Sequence, residues 1–274
     1  MALAAAASPL ARASEHTDGT LNFGLTPVFL DHRASLLRQW RRHLEERLDR
    51  PVRFTQRGSY HEIVELLRDG DLDLAWLCGY PYVRESDWLR LLAAPLYQGE
   101  PLYRSCLIVP HTDRESGSIM DLEDRLFAYS DPDSLSGYHL PRHAIRGAGA
   151  DPDAFFARTI LSWTHRNAIQ AVADRLVDGA AVDGYVLDMV AVNEPHVAAR
   201  TRVVSRSQRY GFPPIVARGD LPASSARACR DVLLGMAGDE AGQRILDTLG
   251  LDGFARVEPD LYTSIREIAD AVDR

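Results

Sequence analysis

The chain has 274 residues, 46% of them hydrophobic and 26% charged, with 39 acidic against 31 basic residues and a formal net charge of −8. At about 150 residues per domain, this length reads as two domains or lobes, long enough to bury a core without disulfides or metals. The acidic balance argues against sequence-independent nucleic-acid binding, and no run of about 18 apolar residues calls for a transmembrane helix.

Residues 1–19 read as a disordered tail or a signal remnant, since Ala11-Arg12-Ala13 has the A-x-A form of a cleavage site but no basic region precedes it. Leu21 to Leu25 predicts a strand ending at Thr26-Pro27. Leu36, Leu37, Trp40, Leu44 and Leu48 recur at helical spacing, with Arg and Glu between them. Val52 to Thr55 reads as a short strand and Tyr60 to Arg68 as an amphipathic helix closed by Asp69-Gly70. Leu72 to Cys78 suits a buried parallel strand. Within Tyr103 to Pro110, Cys106 to Val109 forms a strand that leaves the first lobe. Leu126 to Tyr129 reads as a strand, Gly137 to Arg146 as a helix, Asn167 to Val177 as a helix and Ala180 to Asp183 as a strand. Val203-Val204 and Ile215 to Ala217 are the last expected strands, followed by helices near 223–236, 239–248 and 262–272. The alternation calls for an α/β protein of two lobes, each a mostly parallel sheet flanked by helices, with two crossing strands between them. The expected boundaries are 20–104 with 207–274 for lobe 1 and 105–206 for lobe 2.

Ligands of open α/β sheets sit beyond the carboxyl ends of strands. Thr26-Pro27, Cys78 to Tyr82, Ser130 to Tyr138 and Asp183 to Tyr185 fall there. Ser134-Leu135-Ser136-Gly137 is the most informative, because a helix start after two hydroxyls offers unpaired N–H groups and a positive dipole end to an anion. A plain N-cap role for either serine fits the same residues. Cys78, Cys106 and Cys229 are widely spaced and show no metal pattern, so neither a metal nor another cofactor is expected. Cys78 and Cys106 stand where they could approach the cleft, and both fit equally as small core residues. The lack of Lys removes Schiff-base and P-loop chemistry.

Several segments resemble the phosphate/phosphite/phosphonate-binding family of ABC-transporter solute receptors, which have the type II periplasmic-binding-protein fold. They are Asp71 to Trp76, Phe127 to Gly137, Thr164-His165-Arg166, Ala180 to Asp183, Phe212 to Val216 and Ile245 to Phe254. Their order matches along nearly the whole chain, from Leu21 to Arg266. The resemblance implies a two-lobe clamp on a tetrahedral oxyanion. It implies that Tyr60, Tyr103, Ser134, Ser136 and His165 face the ligand; Thr26, Leu135, Gly137, Asp183, Tyr185 and Cys106 join them as candidates by their places in the strand-end loops and beside the hinge tyrosine. Leu135 stands where the family has Thr, and Tyr185 and Pro213 stand about where aminoalkylphosphonate binders have carboxylates. Those departures favour a smaller or uncharged tail over an ammonium. Arg166 is the one arginine read as a possible anion contact.

The expectation is a periplasmic, monomeric binding protein without catalysis that passes a small oxyanion to a membrane permease. Two alternatives stand beside it: a receptor for an oxyanion such as arsenite that feeds a sensor kinase, and a biosynthetic enzyme on the same fold using His165 with Asp183 or Cys106.

Overall fold

The computed structural model describes residues 19–26 and 34–272. Gly19 aside, the expected tail or signal remnant lies outside the described residues, as does Pro27. β1 (Leu21–Leu25), α1 (Ala34–Leu48), β2 (Val52–Gln56), α2 (Tyr60–Arg68) and β3 (Leu74–Trp76) open the fold, and β1 pairs parallel with both β2 and β3. The helical spacing of Leu36, Trp40 and Leu44 turns these side chains inward. Trp40 meets the rings of Phe23, Phe54 and Trp76 at centroid distances of 5.7, 5.3 and 6.0 Å. α3 (Gly79–Arg84), β4 (Leu89–Leu96) and β5 (Leu102–Tyr103) lead out of this layer.

β6 (Ser105–Pro110) and β7 (Leu126–Tyr129) start the second layer. A π-helical turn over Leu135–His139 follows, and then α4 (Leu140–Gly147), β8 (Arg158–Leu161), α5 (His165–Ala173), β9 (Gly179–Asp183), α6 (Gly184–Asn193), α7 (Pro195–Ala198) and β10 (Thr201–Arg206). The chain returns through β11 (Tyr210–Gly211), β12 (Ile215–Arg218), α8 (Ala223–Gly235), α9 (Glu240–Leu249), β13 (Gly253–Ala255) and α10 (Thr263–Val272).

The six-stranded sheet has the order β13-β4-β12-β3-β1-β2 and the five-stranded sheet β10-β6-β9-β7-β8. β5 and β11 pair antiparallel as a separate two-stranded ladder. Both sheets are mixed rather than mostly parallel. β12 lies antiparallel to β3 and β4, and β6 lies antiparallel to β9 and β10. The strands that follow a lobe-to-lobe crossing enter their sheets in the opposite sense.

Three other expectations shift. The strand expected over Leu72 to Cys78 is ordered as a strand only over Leu74–Trp76. The helix expected from Gly137 to Arg146 begins instead as the π-helical turn, in which the Ser134 carbonyl accepts the N–H groups of Tyr138 and His139 at 3.2 and 3.1 Å. Asp183-Gly184-Tyr185, read as a loop, has no loop residue: Asp183 ends β9 and caps α6, and Gly184 and Tyr185 open that ten-residue helix.

Candidate functional site

Ser134 lies between β7 and the π-helical turn, with its side chain fully buried. Its Oγ accepts the Gly137 N–H at 3.1 Å and faces His165 Nε2 at 3.4 Å. The Asp183 N–H donates to His165 Nδ1 at 3.1 Å, so the imidazole proton sits on Nε2. Burial pulls the His165 pKa down to about 3, and the ring stays neutral. Ser134 Oγ thus receives two N–H groups and keeps its own O–H proton for a further acceptor.

Ser136 differs. It is 1% exposed, and its Oγ finds no hydrogen-bond partner among the described residues. The Tyr103 hydroxyl is equally buried and unpartnered, and it lies beside Ser136, Tyr60, Cys78 and Asp183. Ser130 Oγ is a third such hydroxyl. A Cβ at position 137 would come within 1.9 Å of Ser130 Oγ, so only glycine permits this close packing of β7 against the turn. Buried hydroxyls without partners are uncommon, and together they mark a place that wants an acceptor.

The cradle of free amides is smaller than the sequence suggested. The Gly137 N–H is taken by Ser134 Oγ, and the Leu135 N–H donates to Cys78 Sγ at 3.4 Å. The Leu135 side chain itself is core. Cys78 stands at the start of α3, and burial pushes its thiol up to about 12, so it remains protonated.

Tyr60 opens α2, and its N–H donates to Asp131 Oδ2 at 2.9 Å from the opposite sheet layer. Asp131 Oδ1 accepts the Asp133 N–H at 2.7 Å. Burial raises the Asp131 pKa to about 6 and that of Asp183 to about 7. Asp183 Oδ1 accepts the Tyr185 N–H at 2.8 Å as the cap of α6.

Tyr60, Tyr103, Ser134, Ser136, Gly137, His165 and Asp183 therefore share one buried corner between the two sheet layers. Thr26 spends its hydroxyl on the Trp76 carbonyl at 2.9 Å. Tyr185 donates its hydroxyl to the Leu249 carbonyl at 2.6 Å, which ties α6 to α9. Arg166, read as a possible anion contact, pairs with Glu194, with Nε 2.7 Å from Oε1. Tyr103, Cys106 and Tyr185 line a cavity of about 290 Å³ at the hinge ladder. Arg104, Arg206, Arg209, Glu100 and Asp188 supply its charge. The sequence reading puts Cys78 and the Ser130–Tyr138 loop on the ligand side but assigns Ser130 and Asp131 no role of their own, and it gives no signal for Asp188 or Arg206. Ser130 and Asp131 were within reach, since they lie in the same loop as Ser134.

A model of the family described as "ABC transporter, phosphonate, periplasmic substrate-binding protein" matches residues 23–262. The phosphonates-binding periplasmic protein of Escherichia coli is 26% identical over 267 residues, spanning 93% of this chain and 78% of the relative. PhnD1 from Prochlorococcus marinus, solved with methylphosphonate, is similar with a TM-score of 0.83 and 21% identity, covering 93% of this chain and 98% of that one. A binding component of an ABC phosphonate transporter from Pseudomonas aeruginosa gives 0.84 and 21%, covering 93% and 89%. The fold is the two-lobe periplasmic-binding-protein fold. No helix among the described residues is long and apolar enough to cross a membrane.

Proposed function

The chain belongs to the family of periplasmic substrate-binding proteins of phosphonate ABC transporters, and from that premise we propose that it captures a phosphonate at the Ser134–Gly137 turn and delivers it to a membrane permease. The observation that carries the reading is the pair of buried donors, Ser136 Oγ–H and Tyr103 O–H, with no protein acceptor. A phosphonate oxygen supplies that acceptor. Ser134 O–H and the Tyr60 hydroxyl complete the set, while His165 holds Ser134 in place. The carriers are neutral hydroxyls, so the anion's charge strengthens each bond in a site shielded from water.

Ligand contacts come from both lobes: Tyr60 on α2 and Tyr103 on β5 on one side, Ser134 and Ser136 on the other. An anion touching both favours the closed arrangement over the open one, which is a population shift about the β5–β11 ladder. The permease reads the closed form, and the protein acts as a monomer. Cys78 and Cys106, pushed up to about 12 and about 11, are poor thiolate donors, and this favours hydrogen-bonded oxyanion capture over metalloid ligation.

The test is a thermal-shift and calorimetric series with methylphosphonate, phosphate, phosphite, sulfate and arsenite. A ligand that binds only the folded form raises the melting temperature with its occupancy. Methylphosphonate raises it, and Ser136→Ala removes most of the rise. If no phosphonate moves the transition, or if Ser136→Ala binds as tightly as the parent, the reading fails.

A further inference from the structure

The hydroxyl donors of the oxyanion corner have one idle acceptor beside them. Asp183 is 3% exposed, and its Oδ1 is spent on the N–H groups of Tyr185 and Val186 at 2.8 and 3.4 Å. Its Oδ2 receives no hydrogen bond among the described residues. A carboxylate has room for about four donors, and burying one with an oxygen unused is costly. Three observations place it at the corner. The Asp183 N–H binds His165, whose other ring nitrogen faces Ser134 Oγ. Asp183 pairs in register with Ser105 on β6, and Ser105 Oγ donates to the Ser136 carbonyl at 2.8 Å. The Tyr60 and Tyr103 hydroxyls both lie within reach of its charge.

The groups around Asp183 bring it no positive charge. His165 on α5 is neutral, and burial keeps Tyr60 on α2, Tyr103 on β5, Cys106 on β6, Cys78 ahead of α3 and Tyr97 beyond β4 protonated. Arg104 and Arg206 are engaged toward the hinge, on the Ser207 carbonyl and against the Cys106 thiol. The charge that bears on Asp183 is that of Asp188 on α6, a second carboxylate. An oxyanion entering the corner therefore meets several O–H donors and one carboxylate with no cation to balance it. Two like charges in one dry site do not both stay ionised, and a proton between them removes the conflict.

We propose that Asp183 is a specificity residue: the corner binds its oxyanion together with one proton, held between Asp183 Oδ2 and a ligand oxygen, and so selects phosphonates over sulfonates. The inference rests on the phosphonate reading above and names the ligand feature that this site requires. A phosphonate monoanion carries a P–O–H that donates to Oδ2, and its other two oxygens accept from the hydroxyls. An O–H donating to a carboxylate makes a short, charge-assisted bond. A sulfonate of the same shape has no proton to offer. It leaves an anionic oxygen against Oδ2, and an unpaired charge of this kind rejects a ligand that fits in every other respect.

Calorimetry on the full chain at about pH 8.5, in two buffers of different ionisation heat, counts the protons that accompany methylphosphonate. Asp183 titrates at about 7, so it and the ligand are both largely ionised before they meet. Binding then draws close to one proton per ligand from the buffer, and the dianion and the carboxylate become a hydrogen-bonded monoanion–carboxylate pair. Methanesulfonate binds at least about tenfold more weakly at the same pH, the factor expected for one charge-assisted hydrogen bond. Asp183→Asn presents an amide N–H to the ligand in place of the acceptor, keeps an acceptor for the α6 cap, takes up no proton and loses at least about tenfold of the preference. No proton uptake by the parent, equal binding of the two ligands by the parent, or an unchanged preference in Asp183→Asn overturns the proposal. Each of these leaves the phosphonate reading standing, because methylphosphonate binds. Methylphosphonate that fails to bind the parent removes both.

Discussion

Ser134 and Ser136 stand two residues apart and have opposite hydrogen-bonding states. Ser134 receives two N–H groups, whereas Ser136 Oγ receives none. Ser134→Ala should cost the ligand-free protein about 1 kcal/mol, the usual loss for a helix cap. Ser136→Ala removes a buried hydroxyl with no partner, so stability stays level or rises by about 1 kcal/mol. Phosphonate affinity should fall about 10- to 100-fold in Ser136→Ala, because a hydrogen bond to a charged group contributes about 1.5–3 kcal/mol. Denaturant melts and calorimetry check this together. A Ser136→Ala protein destabilised as much as Ser134→Ala would show that Ser136 serves the fold. The Ser-x-Ser-Gly pattern made both serines legible, because the chemistry of a helix start is local. Cys78 was legible only as a cleft-side residue that fits equally as core: its contact with the Leu135 N–H joins positions 57 apart in the chain and depends on how the two layers meet.

Asp183 adds a pH signature at the same scale. Its pKa rises from the ordinary 3.8 to about 7 through burial, opposed by the N–H groups of Val186 and Tyr185. Between those values the folded protein keeps a proton that the unfolded chain has lost. Its contribution to stability is therefore full at low pH and is lost as pH rises through about 7. His165 acts the other way, favouring the folded state as pH rises from about 3 to 6.5. The clean measurement is a difference: the stability of the parent minus that of Asp183→Asn falls between pH 5 and pH 8. Asn keeps an acceptor for the α6 cap, so the comparison isolates the charge. A flat or rising difference would mean that Asp183 is ionised in the native protein at pH 5.

At the scale of elements, α2 has its first amides satisfied from two sources. Ser59 Oγ accepts the Glu62 N–H at 3.3 Å, and Asp131 accepts the Tyr60 N–H across the cleft. A carboxylate at a helix start also benefits from the dipole. Asp131 thus latches the loop after β7 to the start of α2 in the other sheet layer. Asp131→Ala leaves the Tyr60 and Asp133 amides without their acceptor, at a cost of about 1–3 kcal/mol each if they stay buried. Opening the cleft relieves that cost by hydration. Small-angle scattering on ligand-free Asp131→Ala should give a larger radius of gyration than the parent, with Asp131→Asn closer to the parent. Equal radii for all three would show that the latch does not hold closure. The opening βαβαβ run was legible because its strands and helices have clean periodicities. α6 was not, because Gly184–Asn193 is apolar on nearly every face and shows no helical stripe. β8 was missed for the opposite reason, since all four of its residues are exposed at the sheet edge and show no apolar alternation.

The whole molecule should report its own closure through one tryptophan. Trp40 and Trp76 are core residues and Trp88 is half-buried, whereas Trp163 is 47% exposed. Trp163 sits in the left-handed region at φ 64°, just ahead of α5. With Thr164 it faces Gln56 to Ser59 and Glu62 across an opening of about 660 Å³. That opening has β2 and α2 on one side and the start of α5 on the other, so hinge motion changes its width. When phosphonate binding draws the lobes together, the Trp163 ring loses water and its emission moves to the blue. Titration with methylphosphonate should give a saturable shift whose midpoint agrees with calorimetry. Trp163→Phe should abolish most of the amplitude while calorimetric affinity stays within about threefold. An emission change that survives in Trp163→Phe would place the motion elsewhere. A complete absence of change in the parent, with binding proven by heat, would mean that the lobes are already shut before the ligand arrives. The arrangement of Tyr60, Tyr103, Ser134 and Ser136 in one sealed corner makes this last point decisive, because a ligand can enter that corner only if the layers separate first.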